Sequence, residues 1–106
     1  MKKFSKALFK NLINSPYHEI LATQRVMTLI GDDSTKSAEL SEFVKRYFSC
    51  DWGEDILNDP EDYAVNNSAL SYGGRILGVY YIDNIKIFIM TGSHWETTQI
   101  MLADEY

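Results

Sequence analysis

The last third of the chain, Arg75–Tyr106 (RILGVYYIDNIKIFIMTGSHWETTQIMLADEY), most constrains what this protein can fold into. Two runs rich in Ile, Val, Tyr and Phe flank Asp83-Asn84, and a third run follows Gly92. β-Branched and aromatic residues suit strands, and Asp and Asn tolerate the positive φ that a two-residue hairpin turn demands. Such a turn pairs Ile82 with Ile85, Tyr80 with Ile87 and Gly78 with Ile89. Side-chain alternation then places Ile76, Gly78, Tyr80, Ile82, Ile85, Ile87 and Ile89 on one face. Leu77, Val79, Tyr81, Lys86, Phe88 and Met90 fall on the other. The first face is the more apolar and is expected to be the core. The second is expected either to lie under the N-terminal helix or to stay open, where it favours a homodimer. Gly92–Trp95 reads as a second turn and Glu96–Leu102 as the third strand of a meander.

The rest of the chain supplies the layer that covers this sheet. In residues 4–13, Phe4, Leu8 and Leu12 recur at helical spacing, and Ser15-Pro16 ends the pattern. Residues 1–18 are therefore expected to form an amphipathic helical extension, and residues 19–106 a single α+β domain. Glu19–Ile30, mostly apolar with Thr and Val included, reads as a strand over at least Thr23–Ile30. Asp33 or Ser34 caps the helix that follows, Ser37–Ser49, whose stripe is Leu40, Phe43, Val44, Tyr47 and Phe48. Cys50–Asn58 reads as a loop, with Trp52 plugging back into the core. Asp59 as N-cap and Pro60 at the first helical position open a short helix that Gly73-Gly74 closes. The expected fold is α+β: an antiparallel sheet of about four strands, packed against one main helix and shorter ones.

Charge narrows the function classes. Of the 106 residues, 15 are acidic and 10 basic, a net charge of −5. Lys2, Lys3, Lys6, Lys10 and Arg25 face only Glu19 in the first 30 residues, so the remainder is strongly acidic. An acidic body is repelled by the phosphate backbone, which argues against direct nucleic-acid binding. It suits a basic partner, including the nucleic-acid channel of another protein. With one cysteine no internal disulfide is possible, and lysines interrupt the apolar residues of the N-terminus. Neither a signal sequence nor a membrane span is expected, and the cytoplasm is the default location.

Six acids crowd one segment without an intervening base: Asp51, Glu54, Asp55, Asp59, Glu61 and Asp62. Their spacing does not match a calcium loop. They read as a solvated loop and helix start, or as a phosphate-mimicking patch for a partner's lysines and arginines. His94 beside Trp95 and Glu96 is the one conceivable acid–base pair, and isolated turn histidines are far commoner than catalytic ones. Cys50 reads as a half-buried structural thiol. No phosphate-binding glycine loop, nucleophile elbow or metal-spaced His/Cys set occurs, so no cofactor, metal or catalytic residue is expected.

Phe48-Ser49-Cys50-Asp51-Trp52-Gly53-Glu54 resembles the helix-end motif of a small bacterial family. Gly74–Tyr80, Lys86–Thr91 and the ending Ala103-Asp104-Glu105-Tyr106 resemble that family's C-terminal half, and Asn66 or Asn67 with Ala69-Leu70 fits its middle helix. These are the "plasmid-related" proteins of plasmids, phages and chromosomes, sometimes labelled type I restriction subunits. The resemblance spans about residues 22–106 and brings no established activity. Where the family carries a Thr-Glu-Ala-Asp-Arg-Ser run, this chain has Thr91, Gly92, Ser93, His94, Trp95 and Glu96. Together, charge and resemblance imply a non-enzymatic mobile-element inhibitor of a host defence nuclease, an anti-CRISPR or anti-restriction protein. Its expected binding residues are Asp51, Glu54, Asp55, Asp59, Glu61, Asp62, His94, Trp95 and Glu96. A toxin–antitoxin or housekeeping interaction module is the alternative, and a small enzyme using His94 and Glu96 a further one.

Overall fold

The structure, a computed structural model, describes residues 3–106; the first two residues of the expected N-terminal helix lie outside these. The elements run α1 (Lys6–Asn11), a 3-10 turn (Leu12–Asn14), β1 (Glu19–Ala22), α2 (Gln24–Ile30), α3 (Ser34–Phe48), α4 (Glu54–Leu57), α5 (Pro60–Tyr72), β2 (Ile76–Ile82), β3 (Ile85–Thr91), β4 (Thr97–Leu102) and a second 3-10 turn (Ala103–Glu105). The fold is α+β, with one four-stranded sheet ordered β1-β4-β3-β2.

The meander follows its sequence closely. Asp83 and Asn84 both adopt positive φ, and the register pairs Ile82 with Ile85, Tyr80 with Ile87 and Gly78 with Ile89. Ile76, Tyr80, Ile82, Ile87 and Ile89 are buried on the expected face. Ile85, counted with them, is exposed because it borders the turn. Gly78 leaves room for Tyr47, whose ring carbon would lie 2.7 Å from an added Cβ. Asp33 caps α3 through the backbone N–H groups of Thr35 and Lys36, and Tyr47 and Phe48 carry its stripe into the core. Phe9 of α1 packs edge-on to Tyr47 and against Phe48. The N-terminal segment therefore lies on the first face, and Phe9 and Leu12 belong to the same core as the sheet. On the second face Leu77, Phe88 and Met90 are half-buried, and the C-terminal Tyr106 ring rests on Phe88.

Three expectations are corrected. Thr23–Ile30 is not a strand. Thr23 accepts from the Val26 N–H as an N-cap, and Val26 and Ile30, one helical turn apart, are the buried residues of α2. The strand is instead the four residues Glu19–Ala22. Second, the sheet is mixed, since β1 runs parallel to β4. Its direction follows from its two anchors. His18 is held at the start of β4 by the Trp95 carbonyl and Thr98. At the other end Thr23 donates to Glu105 and Arg25 pairs with Asp104, just past β4. Third, Cys50–Asn58 is not all loop, because Glu54–Leu57 forms the single turn α4 with Ile56 buried.

Candidate interaction surface

The acidic segment is held against the β2 edge of the sheet. β2 is an edge strand, and an edge strand presents unpaired backbone groups. Here those of Leu77 and the N–H of Val79 are satisfied from within the chain. The Asn66 side chain donates to the Leu77 carbonyl (2.8 Å) and accepts from the Leu77 N–H (3.1 Å). The Val79 N–H donates to the Trp52 carbonyl (2.9 Å). Gly53, at φ +92°, lets that backbone approach, since an added Cβ would sit 2.0 Å from the Val79 carbonyl oxygen. Tyr80 Oη donates to the Asp51 carbonyl (2.7 Å). Trp52 is buried and meets the Tyr63 ring. Its indole N–H is the one buried side-chain polar group without an acceptor among the described residues, so Trp52 serves by packing.

The six acids divide into two sets. Asp51 forms a two-pronged pair with Arg46 (2.8 and 3.3 Å), which holds its carboxyl below the usual range. Arg46 also lies over the Phe43 and Tyr80 rings. Asp55 accepts from Tyr81 Oη and meets Lys86 Nζ at 3.7 Å, and the bond to Asp55 raises the Tyr81 phenol. Asp59 caps α5 through the N–H groups of Glu61 and Asp62. Glu54, Glu61 and Asp62 are exposed and enter no salt bridge among the described residues. Exposed Leu57 and Tyr63 share their helices α4 and α5, and exposed Tyr81 of β2 is bonded to Asp55. A groove of about 240 Å³ runs between Phe43, Arg46, Glu54, Asp55, Tyr80 and Tyr81. Among the described residues no three His, Cys, Asp or Glu side chains converge as metal ligands, and no helix is long and apolar enough to cross a membrane.

The Gly92–Glu96 turn is a separate place. The Gly74 N–H donates to the Ser93 carbonyl and Trp95 Nε1 donates to the Gly74 carbonyl (3.0 Å). The turn therefore sits at the C-terminal end of α5, whereas the acids sit at its N-terminal end. A helix of 13 residues separates them by about 20 Å at 1.5 Å per residue. Trp95, expected as a docking aromatic, is only 1% exposed. Its ring packs against Phe4 and Phe9, and its backbone holds a positive φ of 58°. It belongs to the core, whereas the rest of that turn, including His94 and Glu96, is exposed.

Behind the turn lies a buried polar chain that the sequence did not announce. Tyr47 Oη donates to the Ile76 carbonyl and meets Thr91 Oγ1 (2.6 Å). Thr91 Oγ1 meets Thr98 Oγ1 (2.7 Å), which meets His18 Nε2 (2.7 Å), and His18 Nδ1 meets the Trp95 carbonyl (3.1 Å). Both ends are carbonyls, which only accept. Every link therefore carries a proton when the imidazole donates from both nitrogens, and a neutral ring leaves one link without a proton.

Burial pushes the Tyr47 and Tyr80 phenols far above the ordinary tyrosine range. A folded-state value above the unfolded one means stability that is intact below about pH 10 and is lost as pH rises beyond it. Comparison of the native chain with Tyr47→Phe and Tyr80→Phe tests this by tyrosinate absorbance and circular dichroism. These two phenols should ionise only together with unfolding. Reversible ionisation of either one in the folded protein would contradict their burial.

No protein-family model matches this chain, and no curated protein or solved structure is similar to it. The surface is therefore defined by its own geometry. Gly53 and Asn66, which cover Leu77 and Val79 of the β2 edge, carry no chemical motif in the sequence. The glycine directly after a buried Trp was the available signal for a close backbone approach.

Proposed function

We propose that this protein is a non-enzymatic inhibitor of a bacterial defence nuclease, of CRISPR or restriction type, carried by a phage or another mobile element. It works in the host cytoplasm, docks its acidic edge on a basic nucleic-acid-binding surface and competes there with nucleic acid. The observation that carries this reading is the division of the acids. Glu54, Glu61 and Asp62 are exposed and enter no salt bridge among the described residues, next to exposed Leu57, Tyr63 and Tyr81. Uncompensated carboxylates beside aromatic and aliphatic anchors suit a partner rich in Lys and Arg. The motif resemblance to the plasmid-related family supports a mobile-element origin. His94 and Glu96, about a helix length away, form at most a second contact, and Trp95 takes no part.

The division also selects the variants for the test. Asp51, Asp55 and Asp59 hold Arg46, Tyr81 and the start of α5, so reversing them confounds binding with folding. The triple variant Glu54→Lys, Glu61→Lys, Asp62→Lys leaves those bonds in place. The chain is expressed in strains carrying defined CRISPR or restriction systems, and phage plating is scored. The native chain should restore plating against at least one system. The triple variant should bind the corresponding nuclease at least about a hundredfold more weakly, since like-charge juxtaposition costs several kcal/mol and each 1.4 kcal/mol is tenfold. Undiminished inhibition by a folded triple variant, or no rescue against any nuclease system, would sink the proposal.

A further inference from the structure

The two edges of the sheet are treated differently, and we infer that β1 is an open edge through which two copies of this chain pair. Pairing is antiparallel about a two-fold axis at Leu21, giving one continuous eight-stranded sheet from two sheets of four. The β2 edge is covered over Leu77 and Val79 by Asn66 and Trp52. The β1 edge is not: all four of its residues are exposed, and the strand pairs only with β4. The Thr23 N–H donates to the Ile100 carbonyl at 3.0 Å. That bond fixes the parity of the ladder. Leu21 and Thr23 turn their backbone groups toward β4, and Ile20 and Ala22 turn theirs outward.

Apart from its short length, β1 carries none of the devices that blunt an edge. It has no proline, no lysine and no bulge, and its single charge, Glu19, stands at one end. Its side chains are apolar on both faces, with Ile20 37% and Leu21 46% exposed.

An occupant of such an edge must be an extended strand, and the strand itself fits. With Leu21 on the axis, Ile20 pairs with Ala22 of the second copy and Ala22 with its Ile20, so the outward donors and acceptors of each meet those of the other. The same register sets Glu19 across from Thr23 of the second copy and never across from its own equivalent. The long-range charge is also compatible. The acidic segment lies at the β2 edge, so the two acidic regions end up at opposite margins of the joined sheet. Seven strand spacings separate those margins by about 34 Å, well beyond the screening length of about 8 Å. Contact between four-residue strands alone buries little area, so the dimer is expected to be concentration-dependent.

Sedimentation of the full chain across concentration is the test, with two variants. The native mass should rise from 12.2 kDa toward twice that value. Ala22→Pro removes an outward N–H while keeping the bonds to β4, and should stay monomeric with unchanged circular dichroism. Leu21→Cys, in a Cys50→Ala background, should oxidise rapidly to a linked dimer. The Cα atoms of a directly opposed non-hydrogen-bonded pair lie about 4.5 Å apart, within disulfide reach. Met27→Cys in the same background, exposed but off the axis, should not. A native chain that stays monomeric up to its solubility limit overturns the inference. So does a dimer that survives Ala22→Pro, or a Leu21→Cys that links no faster than Met27→Cys.

Discussion

Trp95→Ala should unfold this protein or bring it close to unfolding. The indole joins the N-terminal segment to the C-terminal meander, with Phe4 at 4.9 Å and Phe9 at 5.5 Å between ring centroids. Its N–H is bonded to the Gly74 carbonyl, and its own carbonyl is held by His18. Truncating a buried aromatic of this size costs about 3–5 kcal/mol, against a total stability of about 5–15 kcal/mol for an ordinary domain. Trp95→Phe keeps most of the packing and gives up the bond to Gly74, so its expected cost is nearer 1 kcal/mol for that bond plus the lost volume. Denaturant midpoints compare the two. A native-like midpoint for Trp95→Ala would show that the ring is not part of the core. One corollary concerns assays of inhibition: activity lost on mutating Trp95 reports collapse of the fold and carries no information about a docking contact.

Gly53→Ala should be almost as damaging, although it adds a single methyl group. That methyl would meet the Val79 carbonyl oxygen at 2.0 Å, on a backbone at φ +92° that disfavours any side chain. The obstacle is backbone in the middle of a strand, so it has no rotamer through which to yield. The loop must lift from β2, breaking the bonds from the Val79 N–H to Trp52 and from Tyr80 to Asp51. Two bonds at about 1 kcal/mol each and backbone strain of about 1–3 kcal/mol give a loss of about 3–5 kcal/mol. Gly92→Ala is the contrast, because nothing lies within 4 Å of its added Cβ, and an effect within about 0.5 kcal/mol is expected. Amide exchange of Val79 supplies the local readout. It should accelerate in Gly53→Ala and stay slow in Gly92→Ala, and equal protection in both would refute the clash.

The meander was legible because its information is local. Asp83-Asn84 sets a turn, the turn sets a register, and a period of two assigns the faces. Helix α3 was legible for the same reason, through its cap and stripe. Helix α2 was misread from its β-branched content, although Thr23 as cap and Val26 with Ile30 at helical spacing were present in the same residues. The parallel pairing of β1 had no local signature, since its anchors Thr98, Asp104 and Glu105 lie at the far end of the chain. The burial of Trp95 is hidden from the sequence for a related reason: the rings that bury it, Phe4 and Phe9, come from the other terminus. The acidic run was plain in the sequence. Which of its members are engaged by Arg46, Tyr81 and the start of α5 depends on how the loop folds back on β2, and no spacing rule encodes that.

The clamp between His18 and Thr98 joins residues 80 positions apart, and this sets a timetable for synthesis. β1 leaves the ribosome well before β4, the strand it pairs with. At about 5–20 residues per second, roughly 4–16 s of translation pass between them. Throughout that interval the N-terminal segment has no sheet to join, and Phe9 and Leu12 have no finished core to enter. β1 thus docks late, onto a meander that is complete only once residues 80 positions further on have been made.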